Sequence, residues 1–247
     1  MSSSHLPPEV ILLPKKFATS TDLDNIASRY KSLRLQSLLS DPYSFSSTYE
    51  RESQFTLDTW RSKVQNPVAK TFVTVVDGDD QISSKATYSN TNENGHSADK
   101  EFQRLLQTEW VGSVTLLGPE IWCKEEEEDD DATIRPWDLF TKAKAAPQMA
   151  IQRYGYLNCH LVYLIAGMFV ASHVRRKGHG HQLVEIAVDH ARKEAKGLMS
   201  SNASIVLQTS QGAASAQLFY EQVGFEVMMV SLPYTAMVRD IDLQMTE

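Results

Sequence analysis

With 247 residues, 42% of them apolar, the chain can bury the core of one large domain or two small ones, and the absence of any run of about 18 apolar residues argues against a membrane span. The net charge of −7 is local: the run from Glu125 to Asp131 holds seven acidic residues, leaving 24 acidic against 24 basic, a balance that argues against a nucleic-acid partner. Two cysteines, Cys123 and Cys159, make neither a disulfide framework nor a Cys-rich zinc site and fit a reducing compartment. The opening Met-Ser-Ser-Ser-His-Leu-Pro-Pro lacks a basic region followed by an apolar one, so it does not read as a secretory signal, and a cytoplasmic location is expected.

In chain order, Val10–Leu13 reads as a short strand stopped by Pro14. Thr21 or Asp22 is placed to cap a helix over 23–39, whose Ile26, Tyr30, Leu33 and Leu38 recur at helical spacing and which Asp41-Pro42 ends. Thr56 caps a second helix over 57–64 that contains Trp60, and β-branched Thr71–Val76 is a strand. Residues 81–98 are polar and irregular, with a helical turn or two around Phe102, Leu105 and Leu106. Trp110–Leu117 is a strand closed by Gly118-Pro119. The acidic run follows as a solvated loop, and 137–154 is weakly helical around Pro147. Leu157–Val170 is the longest apolar strand. A helix over His181–Lys196 aligns Leu183, Ala187, Ala191 and Ala195, with Gly197 as its C-terminal cap. Strand 205–209, helix 213–223 with Ala216, Phe219, Tyr220 and Val223 inward, and strands 225–230 and 235–241 complete a mixed α/β single domain over 1–247. Segments 81–108 and 119–156, the acidic loop 125–131 among them, are longer than ordinary connections and read as insertions.

The chemistry concentrates at 170–180, Val-Ala-Ser-His-Val-Arg-Arg-Lys-Gly-His-Gly. A strand runs into a basic loop with two glycines spaced by one residue, and a helix opens behind it. Glycine admits close approach of a ligand to backbone N–H groups, and a helix N-terminus adds unpaired donors and partial positive charge. Arg175, Arg176 and Lys177 add full charges, so the pocket suits a diphosphate, although the same pattern also serves as a plain tight turn. His179 and His181 without a carboxylate or cysteine cluster do not make a zinc site. Gln182 and Leu183 after His181 break the Gly-x-Gly-x-x-Gly dinucleotide pattern.

Arg175-x-x-Gly178-x-Gly180, the preceding Met168-Phe169-Val170, and Ala216, Tyr220, Gly224 and Phe225 in that order resemble the GNAT superfamily of acyl-coenzyme A N-acyltransferases. Two departures from the family pattern stand out: Ala213 where asparagine is usual, and Ser172 in place of a frequent proline. The resemblance implies an α/β (α+β) fold with a central mixed, mostly antiparallel twisted sheet, splayed at the acetyl-coenzyme A site and flanked by helices. It implies that the co-substrate's diphosphate lies on backbone N–H groups of Arg176 to His181, Gly178, His179 and Gly180 included, with the Arg175 and Arg176 side chains in support and Ala216 nearby. Backbone atoms of Met168 and Val170 would hold the pantetheine arm and polarise the thioester, and Tyr220 would protonate the leaving thiolate. No metal is implied.

No carboxylate stands between 157 and 170 to act as general base. His160, with a suitable intrinsic pKa, and Glu50 and Glu52, solvated on a loop, are the remaining candidates near the amine. The expected reaction is acetyl transfer to a primary amine, a small molecule or alternatively a protein or peptide amine, by direct attack in a ternary complex. Neither cysteine has a base beside it to favour a covalent step. The rival reading is a catalytically weak acyl-coenzyme A-binding sensor or scaffold, motivated by the missing carboxylate and asparagine. A monomer or homodimer is expected.

Overall fold

The computed structural model describes residues 9–76, 96–123, 159–210 and 213–243. β1 (Glu9–Leu12) leads to α1 (Ser20–Ser40), a 3-10 turn (Pro42–Ser44), α2 (Tyr49–Ser53), α3 (Leu57–Gln65) and β2 (Ala69–Val76). α4 (His96–Gln107), β3 (Glu109–Cys123) and β4 (Cys159–Val170) follow. After a second 3-10 turn (Ser172–Val174) come α5 (His179–Gly197), β5 (Asn202–Ser210), α6 (Ala214–Gln222), β6 (Glu226–Ser231) and β7 (Tyr234–Ile241). The strands form one seven-stranded sheet in the order β1-β2-β3-β4-β5-β7-β6. Among the described residues only the β4–β5 pair is parallel; the rest are antiparallel.

Each face of the sheet buries its own core. On one face α5 lays Leu183, Val184, Ala187, Val188, Ala191 and Ala195 over Phe72, Leu116, Tyr163, Ile165, Ile205 and Leu207. The alanine stripe lets the helix approach the sheet closely, while the β-branched and aromatic residues fill the pleat. On the other face α1 and α3 bury Ile26, Ala27, Leu33, Trp60 and Val64 over Val73, Val75, Val111 and Phe169. Trp60 anchors that layer with no exposed surface, its ring 6.0 Å from Tyr30 and 5.8 Å from Phe55. Burying such a side chain is worth about 3 kcal/mol.

Several sequence-based boundaries move. α1 begins at Ser20 and is capped by Thr19, whose hydroxyl accepts the Asp22 N–H at 3.1 Å, so Thr21 and Asp22 lie inside the first turn. Thr56 caps α3 as expected, accepting the Thr59 N–H. β3 does not stop at Gly118-Pro119: a register shift between Leu117 and Glu120 absorbs the pair, and pairing with β4 resumes through Cys123. α5 starts at His179, two residues early, because Gly178 rather than Gly180 takes the left-handed N-cap conformation (φ 86°). Gly197 is the last helical residue and not the cap; Met199 adopts the left-handed φ of 55° beyond it. Within the segments read as insertions, 96–107 is helix α4 and 119–123 belongs to β3. The acidic run 125–131 and the helical expectation over 137–154 lie outside the described residues.

Candidate functional site

β4 pairs with β5 from His160 opposite Asn202 to Leu164 opposite Val206, and no further. Beyond that point, among the described residues, β4 keeps only β3 and β5 keeps only β7, through Ser210 opposite Tyr234. The separation begins where β4 carries an extra residue: Thr115 faces Ala166, yet Ser113 faces Phe169. Gly167 (φ 61°) sits in that bulge, a backbone conformation that glycine adopts without steric cost. The Ala171 N–H donates to the Val111 carbonyl at 2.8 Å, so the alternation of an antiparallel ladder turns the N–H and C=O of Val170 toward the opening. Met168, two residues back, shares that edge.

The loop after β4 closes one end of this opening. Arg176 (φ 64°) and Gly178 (φ 86°) are both left-handed and fold the chain back into α5. The first bond of that helix runs from the Gln182 N–H to the Gly178 carbonyl at 3.0 Å. The N–H groups of His179, Gly180 and His181 therefore precede the ladder and have no partner within it. With the positive end of a 19-residue helix behind them, they form a surface that suits an anion. A nucleotide diphosphate fits this donor set, and the gap-facing groups of Met168 and Val170 fit an amide-bearing arm.

The side chains are deployed differently from the backbone. Packing at Gly180 is tight: a Cβ there would lie 3.3 Å from the Phe219 ring and 3.4 Å from Met168 Cε, so these side chains would have to give way slightly. The His179 ring is buried, with Nδ1 unpartnered, and burial followed by the charge of Lys177 lowers its pKa, keeping it neutral. Arg176, Lys177 and His181 are exposed. Arg175 does not reach forward over the loop. Its Nε–H donates to the Val170 carbonyl at 2.8 Å and its Nη2 pairs with Asp41 at 2.5 Å. Ala216 is half-buried against the core of the α5 face.

Tyr220 belongs to the same core as Ile165 and Leu207, which stand on either side of the opening. Its ring meets Phe219 at 5.2 Å and Phe225 at 5.6 Å, both edge-on. Burial raises the phenol above its ordinary range, so it stays protonated at neutral pH and serves as a donor. Ala213, at the N-cap of α6, offers no side-chain cap, as the missing asparagine implied.

The three candidates for the amine side separate. His160 stands at the start of β4, seven residues before Gly167 and about 23 Å away along an extended strand. Its Nε2 lies 2.8 Å from Ser204 Oγ, which donates to Asp240 at 2.6 Å. This places His160 in a structural chain at the closed end of the sheet, away from the opening. Glu50 is exposed on α2. Glu52 is not solvated as expected: it is 4% exposed and takes three hydrogen bonds from Arg34 at 2.8 to 3.2 Å. Burial pushes its carboxyl up, but Arg34, helped by Ser47 and Lys63, outweighs this and holds it below the usual carboxylate value. Sequence reasoning missed Arg34, Asp41, Tyr43 and Ser210, because each acquires its role from a partner distant in the chain.

Residues 145–227 match the family model of an acetyltransferase (GNAT) domain, about a third of the chain, running through β4, α5, β5 and α6 to the start of β6. The matched segment holds the opening beside β4 and the loop that leads into α5. No curated protein matches the chain. Among solved structures, an acetyltransferase of the GNAT family from Staphylococcus aureus is similar at 12% identity, covering 95% of this chain and 99% of that one with a TM-score of 0.46. Arabidopsis thaliana NAA60 in complex with a bisubstrate analogue is similar at 12% identity, covering 95% and 100%, TM-score 0.47. PaiA N-acetyltransferase from Thermoplasma acidophilum in complex with coenzyme A is similar at 10% identity, covering 95% and 99%, TM-score 0.45. Among the described residues no helix is long and apolar enough to cross a membrane, and no group of three or more His, Cys, Asp or Glu residues is placed to hold a metal ion.

Proposed function

We propose that this protein is an acetyl-coenzyme A-dependent N-acetyltransferase that moves the acetyl group to a primary amine. The observation that carries the reading is the loss of β4–β5 pairing after Leu164 at the Gly167 bulge, beside a loop whose N–H groups open a long helix. When bound, acetyl-coenzyme A supplies an activated thioester. N–H groups at 176–181 receive its diphosphate, and the gap-facing backbone of Met168 and Val170 takes the pantetheine arm, as an added strand would. An N–H at the bulge polarises the thioester carbonyl and stabilises the oxyanion formed when the amine attacks.

Direct attack requires a neutral amine. The sheet provides no carboxylate on β4, Glu52 is held by Arg34, and His160 is remote, so water takes the ammonium proton. As the C–S bond breaks, the nitrogen loses its extra proton to water and the Tyr220 hydroxyl donates a hydrogen bond to the departing thiolate sulfur. Its raised pKa makes full proton transfer to a thiolate uphill, so the contribution is a hydrogen bond that strengthens as charge develops on sulfur.

The test is thiol release from acetyl-coenzyme A against a panel of polyamines, amino sugars, arylamines and peptides, together with coenzyme A binding by calorimetry. Turnover with an amine supports the transferase reading. Binding without turnover across the panel points instead to a sensor or scaffold, and absence of binding overturns the site.

A further inference from the structure

The turn that follows α1 is tied to both rims of the β4–β5 opening. On the β4 rim, Arg175 spans two groups: Nε–H donates to the Val170 carbonyl and Nη2 pairs with Asp41, the C-cap residue of α1. The guanidinium centre lies 6.0 Å from the Phe169 ring. On the β5 rim, the Ser210 hydroxyl donates to the Tyr43 carbonyl. Asp41 and Tyr43 flank Pro42, so the 3-10 turn Pro42–Ser44 crosses the mouth of the opening from one strand end to the other. Both ties join residues far apart in sequence, by 134 and 167 positions.

The β4-rim tie occupies groups that the proposed function needs. The Val170 carbonyl is one of the gap-facing backbone groups, and Arg175 is the cation at the start of the anion-accepting loop. Asp41 presents one carboxylate to that cation, whereas a diphosphate presents two charged phosphoryl groups with more acceptor oxygens. Charge-assisted bonds from arginine to phosphate are strong and geometrically matched. The Arg175–Asp41 pair is partly solvated, with side chains 43% and 26% exposed, so it is a weak competitor.

We propose that Asp41 is a built-in stand-in for the diphosphate on Arg175, and that loading an acyl-coenzyme A transfers Arg175 from Asp41 to the phosphoryl groups and releases the 41–44 turn from the β4 rim. The proposal rests on the acetyl-coenzyme A reading above. Asp41 is a positioning residue in this scheme, acting only through Arg175. Coenzyme loading thus loosens the 41–44 turn, and by linkage whatever favours the loosened turn tightens coenzyme binding.

The test compares the wild-type protein with Asp41→Asn in calorimetric titrations with coenzyme A and with pantetheine, which lacks the diphosphate. Asp41→Asn is expected to tighten coenzyme A binding about fivefold at low salt, the equivalent of ~1 kcal/mol for an exposed pair, and to leave pantetheine affinity within about twofold. A merely structural tie would lower Tm without tightening coenzyme A, and that result overturns the proposal. Hydrogen exchange on the wild-type protein is the second measurement and does not depend on the variant folding. Amides at 41–46 are expected to exchange faster with coenzyme A bound; unchanged or slower exchange overturns the transfer. A wild-type protein that binds no coenzyme A overturns the functional reading itself, whereas binding with an indifferent Asp41 overturns this inference alone.

Discussion

The two halves of β4 share one strand, one neighbour in β3 and one apolar character, and they differ in what lies on the other edge. From His160 to Leu164 that edge is closed by parallel β5, and its polar groups are internally matched through His160, Ser204 and Asp240. From Ile165 to Val170 the edge is left open, and the groups that a second neighbouring strand would satisfy have no strand partner on that side, the Val170 carbonyl being taken by Arg175. Nothing in the hydrophobicity of the strand distinguishes the halves. One extra residue at Gly167 does, because a bulge re-aims everything that follows it. Under the proposed function, stability is therefore invested in the first half and binding in the second, and substitutions should separate the two.

The largest effect is expected away from both halves, at the buried pair that ties α1 to α2. Glu52→Gln keeps the shape but removes the charge facing Arg34, whose Nη1 is already buried without a partner. Breaking a buried pair in this way costs about 3 kcal/mol, read as a drop in the urea midpoint. The pH dependence has a definite sign. The folded-state pKa of Glu52 lies below its ordinary value of 4.5, so the pair stabilises fully above that value and the benefit fades as pH falls through the lowered one. The variant should flatten this acid limb, and an unchanged limb would show that Glu52 is not the group responsible.

Tyr220→Phe should separate chemistry from binding in the open half. We expect turnover to fall about a hundredfold, within the span of general acid effects, with coenzyme A affinity and Tm nearly unchanged because the core contacts of the ring persist. Equal turnover at all pH values would remove the hydroxyl from the mechanism. Gly180→Val is expected to weaken coenzyme A binding about tenfold, since its Cβ would press on Phe219 and Met168 at the floor of the opening. Unaltered affinity would show that the floor adapts.

The smallest expected effect lies in the closed half. Ser204→Ala leaves the His160 and Asp240 groups without their common partner and should cost about 1 kcal/mol of stability, with kcat preserved at saturating substrates. A fall in kcat at constant stability would bring the two halves back together functionally and restore His160 to the mechanism.

Local chemistry made much of this legible. The β-branched runs at 71–76 and 205–209, the alanine stripe of α5 and the Thr56 cap are short-range signals that tertiary structure preserved. The motif from Met168 to Gly180 located the opening because glycine spacing and strand-to-helix order survive in one dimension. Where the reading slipped, the reason was context. Gly178 and Gly180 look equivalent in sequence, yet one turns the chain at positive φ and the other makes room for Phe219. Glu52 looked like a solvated loop carboxylate until α1 placed Arg34 against it.

The sequence alone determined the strand–loop–helix order, the anion-suited corner and the absence of a carboxylate on β4, because these depend on neighbours within a few residues. The tertiary structure decided which edge of β4 stays unpaired, which glycine is conformational, and what the charged side chains hold. Arg175 meets Asp41 across 134 residues, and Ser210 meets Tyr43 across 167. Contacts at that separation arise only when helix packing on the α1 face brings the chain ends of β4 and β5 under the same turn, and no local pattern of residues encodes that arrangement.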